Sequence, residues 1–335
     1  MHVSHRGCHL TRAALLICVS AVAACMSRSS GPTEPSPANT NATRGTVVES
    51  LTGTPIEGAT VSFTQNGTLR TLTTSDGGVW DLVDSKIDGM ALLEVAAAGY
   101  VTRRTFASLV TSQNQIVIDL IRDAAPFSLT YYRQLVRNQF DDPGTLQPLR
   151  RWTKNPNFYI DTRNPRAGGE MSTDDRESII GIVRAAVAQM TGGQLAAGTI
   201  EVGSGARNER SGVVNMSLVD DPGNEFCGWS RVGTDPGSIT INLASRCDTP
   251  CGVIAPRTVA HEVAHALGFY HVERGDILST NWSHRDCGTT TFSSTELHHA
   301  RLAYARKPGN RDTDSDPVLS LFVETPDPPR LIGCR

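Results

Sequence analysis

The chain has 335 residues, of which 39% are hydrophobic and 19% charged, with a formal net charge of −3. That length accommodates two domains plus tails, and the composition is that of a globular protein. The weakly acidic balance, with no basic stretch beyond the extreme N-terminus, excludes nucleic acid as a partner.

At the start of the chain, Arg6 and Arg12 precede an apolar run over residues 13–24 that is too short to span a bilayer. The run ends Val22-Ala23-Ala24-Cys25. Small residues ahead of a cysteine resemble a bacterial lipobox. The resemblance implies removal of residues 1–24 as a lipoprotein-type signal peptide and lipidation of Cys25. The protein would then be exported and anchored in a membrane of the cell envelope, at the outer membrane or cell surface. An ordinary secretory signal cleaved at an alanine is the alternative, and it removes the same segment. Residues 25–41, rich in Ser, Pro, Thr and Asn, cannot bury a core and read as a flexible linker.

From residue 42 to 121 the pattern changes to short β-type runs at 45–48, 59–63, 71–74, 78–82, 91–95 and 115–120. Turn chemistry such as Thr52-Gly53-Thr54-Pro55 and Ser75-Asp76-Gly77-Gly78 separates them. Regular short strands predict a small antiparallel β-sandwich. The strings G-T-V-V, T-G-T-P-I-E-G-A-T-V, T-T-S-D-G-G-V-W and A-G-Y at 98–100 resemble the carboxypeptidase regulatory-like (transthyretin-like) domain. The resemblance implies a spacer, folding aid or interaction module, and no catalytic constellation lies in it.

Residues 122–150 form a connector with one helix predicted near 128–140, stopped by Asp141-Asp142-Pro143-Gly144. Beyond it, residues 151–335 read as a mixed domain. A strand is predicted at 158–161. A helix follows from the Ser172-Thr173-Asp174-Asp175 start to Met190, with Ile179, Ile182, Val183, Ala186 and Met190 on one face. Strands follow at 199–202, 213–218, 228–232 and 238–243, the last two joined by Gly233-Thr234-Asp235-Pro236-Gly237. Ser293-Ser294-Thr295-Glu296 is a capping box for a last helix to about residue 305.

Between these elements lies H-E-V-A-H-A-L-G-F-Y-H, residues 261–271. Four-residue spacing on a helix puts His261 and His265 on one face, one turn apart, where two neutral imidazoles hold one Zn²⁺. Pro256 suits the first turn of that helix, and Val259, Val263, Ala264 and Leu267 give it an apolar face. Gly268 can end the helix in a left-handed conformation and return the chain so that His271 supplies a third ligand. Three protein ligands leave the fourth position open, as in catalytic rather than structural zinc. Glu262 beside the first ligand is placed to act as a general base toward water.

This motif resembles that of the metzincin metallopeptidases, HExxHxxGxxH followed by a methionine-containing turn. The likeness covers residues 150–306 and is sharpest at 256–282. It implies zinc held by His261, His265 and His271, with Glu262 as the catalytic base. It also implies an α+β chain: the small antiparallel β-sandwich, then a metzincin-like catalytic domain with a mixed twisted sheet, an active-site helix and a C-terminal helix. The substrate would be a peptide or protein. Where the family carries its turn Met, this chain has Gly275-Asp276-Ile277-Leu278-Ser279, and Leu278 is the candidate for that place. Leu and Met are close in volume, so Leu278 can supply an apolar floor. The tyrosine that some members place two residues after the Met is Thr280 here, so no such tyrosine is carried over. The family pairs an extended substrate with an edge strand. By chain order the candidate strand is Cys227, Gly228, Trp229, Ser230, Arg231 and Val232.

Setting aside Cys8, Cys18 and Cys25, the cysteines are Cys227, Cys247, Cys251, Cys287 and Cys334. Export favours disulfides over a metal knuckle, and the pairing stays open. Asp312, Asp314 and Asp316 are spaced like a calcium loop. Pro317 and Val323 stand where such a loop needs Gly and a bidentate Glu, so Ca²⁺ has little support and the segment reads as a solvated acidic loop. His298 and His299 read as surface residues of the last helix. His284 reads as structural. Asp276 either bonds a ligand histidine or holds the turn. The leading reading is a zinc endopeptidase; the alternative is a cell-surface binding lipoprotein with an inactive metalloprotease-like domain. Oligomeric state is not legible.

Overall fold

A computed structural model describes residues 43–83, 89–109, 115–275, 277–280 and 286–318, and the backbone of 331–334. The apolar N-terminal run, Cys25, the Ser/Pro-rich linker, Asp276, Trp282 and His284 lie outside the described residues. Among the described residues the chain is mixed α+β, rich in sheet and with few helices.

The first seven strands are β1 (Thr43–Glu49), β2 (Thr60–Gln65), β3 (Thr68–Thr73), β4 (Val79–Leu82), β5 (Met90–Ala96), β6 (Arg103–Ser108) and β7 (Ile116–Leu120). They form two sheets, ordered β4-β1-β7 and β3-β2-β5-β6. Side chains alternate along a strand, so each sheet turns one face inward. Val47, Trp80, Leu82, Ile118 and Leu120 from one sheet meet Val61, Phe63, Leu93 and Val95 from the other in one core.

Two features depart from the sequence reading of this region. First, β1 and β7 run parallel, from Gly45↔Ile116 to Glu49↔Leu120, so the strands are not all antiparallel. The two strands are far enough apart in the chain for the long crossover that parallel pairing needs. Second, β6 is a strand that alternation does not reveal. Its inward residues are Arg103 and Thr105, both buried, so its core-facing positions are polar.

Those polar positions face a buried charge network that corrects the reading of the acidic loop. Asp314 and Asp316 are buried, not solvated. The wholly buried Arg306 donates to both oxygens of Asp314, at 2.8 and 2.9 Å, and also to Asp119. Asp316 accepts from Arg103 at 3.0 Å and from Thr105 at 2.7 Å. Asn310 donates to both aspartates at 2.9 Å. Burial alone would raise the Asp119 carboxyl, but Arg306 and Arg103 beside it hold it down at about 2. Backbone bonds between Arg104 and the 314–316 segment fasten β6 to the same loop.

The remaining elements are α1 (Leu129–Arg137), β8 (Asn157–Asp161), α2 (Thr173–Met190), β9 (Ile200–Gly203), β10 (Val213–Val219), β11 (Gly228–Arg231), β12 (Gly237–Asn242), α3 (Pro256–Ala266), α4 (Ser294–Tyr304) and β13 (Leu331–Cys334). Local signals set their starts. Ser128 and Ser172 cap α1 and α2 by accepting from Tyr131 and Asp175 backbone N–H groups, and Ser293 with Glu296 closes a capping box on α4. The sheet order is β13-β11-β12-β10-β8-β9. β12, β10, β8 and β9 are parallel, and β11 is antiparallel to both of its neighbours. The sequence does not announce β13, and its presence makes the strand expected at the edge the second one in. A large core joins α2, α3 and α4 to this sheet, through residues such as Ile179, Val183, Met216, Ile239, Val263 and Ala303.

Two disulfides close, Cys227–Cys247 at the start of β11 and Cys251–Cys287 ahead of α3, with Cα separations of 5.4 and 5.9 Å. The expectation for His299 is also corrected: its side chain is fully buried. It stacks on Phe127, accepts from the Ser128 N–H at 3.0 Å and donates to the Thr295 carbonyl at 2.8 Å.

Candidate active site and metal centre

α3 begins with Pro256 in its first turn, where the missing N–H costs nothing. It is buried on nearly all sides, from Arg257 to Ala266, because the sheet covers one flank and α2 another. Its end is fixed by side chains from elsewhere. The Trp152 indole donates to the Ala266 carbonyl at 2.9 Å, and the Tyr304 hydroxyl to that of Leu267 at 3.0 Å. These satisfy carbonyls that a helix end leaves without partners. Gly268 then turns the chain with φ +112°. A Cβ there would lie 2.0 Å from the Arg150 carbonyl oxygen, so both the dihedral and the space demand glycine.

This turn brings His271 back to His261 and His265. The three Nε2 atoms lie 2.8, 3.1 and 3.2 Å from one another, all buried. Each Nδ1 faces outward to an acceptor: Ile277 O at 2.7 Å from His261, Phe269 O at 2.7 Å from His265, and the Asp141 carboxylate at 3.1 and 3.2 Å from His271. An acceptor on Nδ1 places the ring proton there and leaves Nε2 with a lone pair. Three lone pairs therefore converge on one point. Burial, and then the neighbouring His271, push His261 down to about 3, and burial pushes His265 well down too, so both rings are neutral at pH 7. Ligands about 2.0–2.1 Å from a tetrahedral ion stand roughly 3.3 Å apart, so this donor set fits Zn²⁺ in charge, softness and spacing. Among the described residues it is the one cluster of three or more His, Cys, Asp or Glu able to hold a metal.

Glu262 follows the first of these histidines and is fully buried. Its Oε2 accepts from the Ser230 hydroxyl at 2.7 Å, and that hydroxyl also lies 2.9 Å from the Glu262 carbonyl oxygen. β11 passes so close that a Cβ on Gly228 would stand 2.7 Å from Glu262 Oε1 and 2.8 Å from its Cγ. The expected strand residues from Gly228 to Arg231 thus run directly beside the carboxylate, while Cys227 is tied to Cys247.

Leu278 is wholly buried and follows Ile277, whose carbonyl orients His261. Glu296 Oε1 accepts from the N–H groups of Ile277 and Leu278 at 3.0 and 2.8 Å, while its Oε2 caps α4 through Ser293. Three contributors are not visible from sequence. Asp141 stands in a run that reads only as a helix stop. Ser230 is legible for its strand alone, and Glu296 for its cap alone.

Residues 208–284 match the family model Astacin, which describes a peptidase family. A comparison with curated proteins finds no match. Among solved structures, the chain is similar to the Bacillus anthracis TIE protein at 21% identity and a TM-score of 0.21, covering 24% of this chain and 16% of that one. It is similar to a type II cohesin–X-dockerin complex from Acetivibrio cellulolyticus at 20% identity and a TM-score of 0.19, covering 24% of this chain and 56% of that one. It is also similar to metalloproteinase-II from Bacteroides fragilis at 12% identity and a TM-score of 0.33, covering 73% of this chain and 91% of that one.

Proposed function

We propose that the chain is a zinc-dependent endopeptidase. The observation that carries this is the convergence of three buried imidazole Nε2 atoms beside the buried carboxylate of Glu262. The Astacin match over 208–284 spans this motif and supports a peptide or protein as substrate. His261, His265 and His271 would hold the ion, and a bound zinc supplies Lewis acidity toward water and a carbonyl oxygen. The chain's own residues do the rest. Glu262 takes a proton from water and hands it to the departing amine, a shuttle that general acid–base chemistry allows one carboxylate to perform. Ser230 fixes the Glu262 rotamer by donating to Oε2. Asp141, Ile277 and Phe269 hold the three rings with their lone pairs inward. Leu278 stands at the place of the family's Met and supplies a buried apolar floor.

The same reading takes the first two sheets as a carboxypeptidase regulatory-like domain with no catalytic part. It takes Cys25 as the lipidated residue that holds the enzyme on the cell envelope. Changing Glu262 to Gln tests the mechanism. Elemental analysis should still find one zinc per chain, while cleavage of an unfolded protein falls by about 10²–10⁴-fold, the usual contribution of a general acid–base residue. Full activity in that variant overturns it.

A further inference from the structure

A β-strand has two hydrogen-bonding edges, and β11 uses both. One is paired with β12, from Gly228↔Ile241 to Ser230↔Ile239. The other is paired with β13, antiparallel, through Gly228↔Cys334, Trp229↔Gly333, Ser230↔Ile332 and Arg231↔Leu331. The covered stretch is the one beside the catalytic carboxylate: Gly228 is pressed against Glu262, and Ser230 bonds it. β13 also packs beside α3, the helix that carries the base. An extended peptide that seeks backbone bonds along this stretch finds them already made.

We infer that the segment Leu331–Cys334 is an autoinhibitory strand that lies where an extended peptide substrate would pair with β11. The functional meaning rests on the endopeptidase reading; the occlusion itself rests on strand pairing. Four residues joined along one edge make a weak lid, and Gly333 within it weakens the strand further. The segment is tethered to the domain through residues 319–330, so it competes as an intramolecular ligand at an effective concentration in the mM range. Such competition raises the KM of a peptide substrate and leaves kcat alone, because the substrate-bound form has the lid displaced. A substrate that forms a longer strand opens the site better than a dipeptide does.

The test compares the full chain with a chain ended after Arg330, both carrying Glu262→Gln so that no peptide is cut. The probe is a fluorescent synthetic peptide of residues 330–335 carrying Cys334→Ser, read by polarisation without reductant so that the Cys227–Cys247 and Cys251–Cys287 bridges stay closed. The shortened chain should bind the probe at least about 10-fold more tightly than the full chain, as release of a tethered competitor requires. Equal affinity overturns the proposal. Ile332→Pro and Gly333→Pro in the full chain guard against misfolding of the shortened one. N–H groups alternate along a strand, so one of the two substitutions removes a donor aimed at β11 and should loosen the lid. With Glu262 restored, shortening should lower KM by a similar factor and leave kcat within about twofold of the full chain. A fall in kcat without a change in KM marks β13 as structural and overturns the lid. If neither chain cuts any peptide while the probe still separates them, the endopeptidase reading falls and the occluding strand stands.

Discussion

Of the three ring-orienting acceptors, Asp141 is the one that carries charge, and its removal gives a graded test of the metal centre. Both of its oxygens lie 3.1–3.2 Å from His271 Nδ1, while His261 and His265 are oriented by neutral carbonyls. A carboxylate behind a ligand histidine raises the basicity of the ring and fixes its tautomer; losing it costs about 10–100-fold in metal affinity. The Asp141 side chain is 33% exposed, so solvent screens part of its charge and the lower half of that range applies. Asp141→Ala should therefore weaken zinc binding by about 10–30-fold, or roughly 1.4–2 kcal/mol. Asp141→Asn keeps an acceptor oxygen without the charge and should fall in between. Competition against a chromophoric chelator at pH 7 measures both. Zinc affinity in Asp141→Ala within about twofold of the native chain would show that the carboxylate does not act through His271, and would refute the reasoning.

Three further outcomes follow from the packing. Gly228→Ala puts a methyl 2.7 Å from Glu262 Oε1 with no backbone penalty, so kcat/KM should drop about 100-fold with zinc content and melting temperature nearly kept; unchanged kinetics would refute it. Arg306→Met strips the wholly buried Asp314 of its cation and should destabilise the chain by about 3–5 kcal/mol in urea unfolding. Burial holds the folded His299 down to about 4, against about 6.5 unfolded, so the unfolded chain takes up the proton first; stability is full above pH 6.5 and falls by up to about 3 kcal/mol on acidification to pH 4. On zinc-loaded protein, His299→Gln should flatten that limb, and an unaltered slope would count against the assignment.

The parts legible in the sequence are those encoded within a few residues. His261 and His265 share a face because their spacing is that of a helical turn, and Ser172 and Ser293 announce helices because a cap bonds within three positions. Strands β2, β5 and β7 show because they bury alternate apolar side chains. β6 does not, since its inward residues Arg103 and Thr105 take their meaning from Asp316, more than 200 positions away. Asp141 likewise becomes a ring-orienting acceptor only once the fold brings it to His271 across 130 positions. β13 is hidden for a related reason: a four-residue run with an internal Gly carries too little pattern to be told from a loop, and only the free edge of β11 gives it a partner.

Glu296 shows why a correct local reading can still miss a functional residue. The capping box accounts for its Oε2, which accepts from the Ser293 N–H at 2.7 Å. Local helix chemistry asks nothing more of the residue, so the sequence rule is satisfied with half the carboxylate used. The other oxygen takes the N–H groups of Ile277 and Leu278 and so fixes the turn whose Ile277 carbonyl orients His261. Glu296→Gln separates the two roles. One oxygen can still serve one site, but the amide nitrogen opposes a donor at the other, so either the cap or the turn must yield. If the cap alone yields, the chain loses about 1 kcal/mol of stability and keeps its zinc. If the turn yields, His261 loses its orienting carbonyl and zinc affinity falls. The first outcome is the expected one, because the two N–H groups of Ile277 and Leu278 can only donate and so hold the amide oxygen, whereas the cap hydroxyl of Ser293 can rotate to accept from the amide nitrogen.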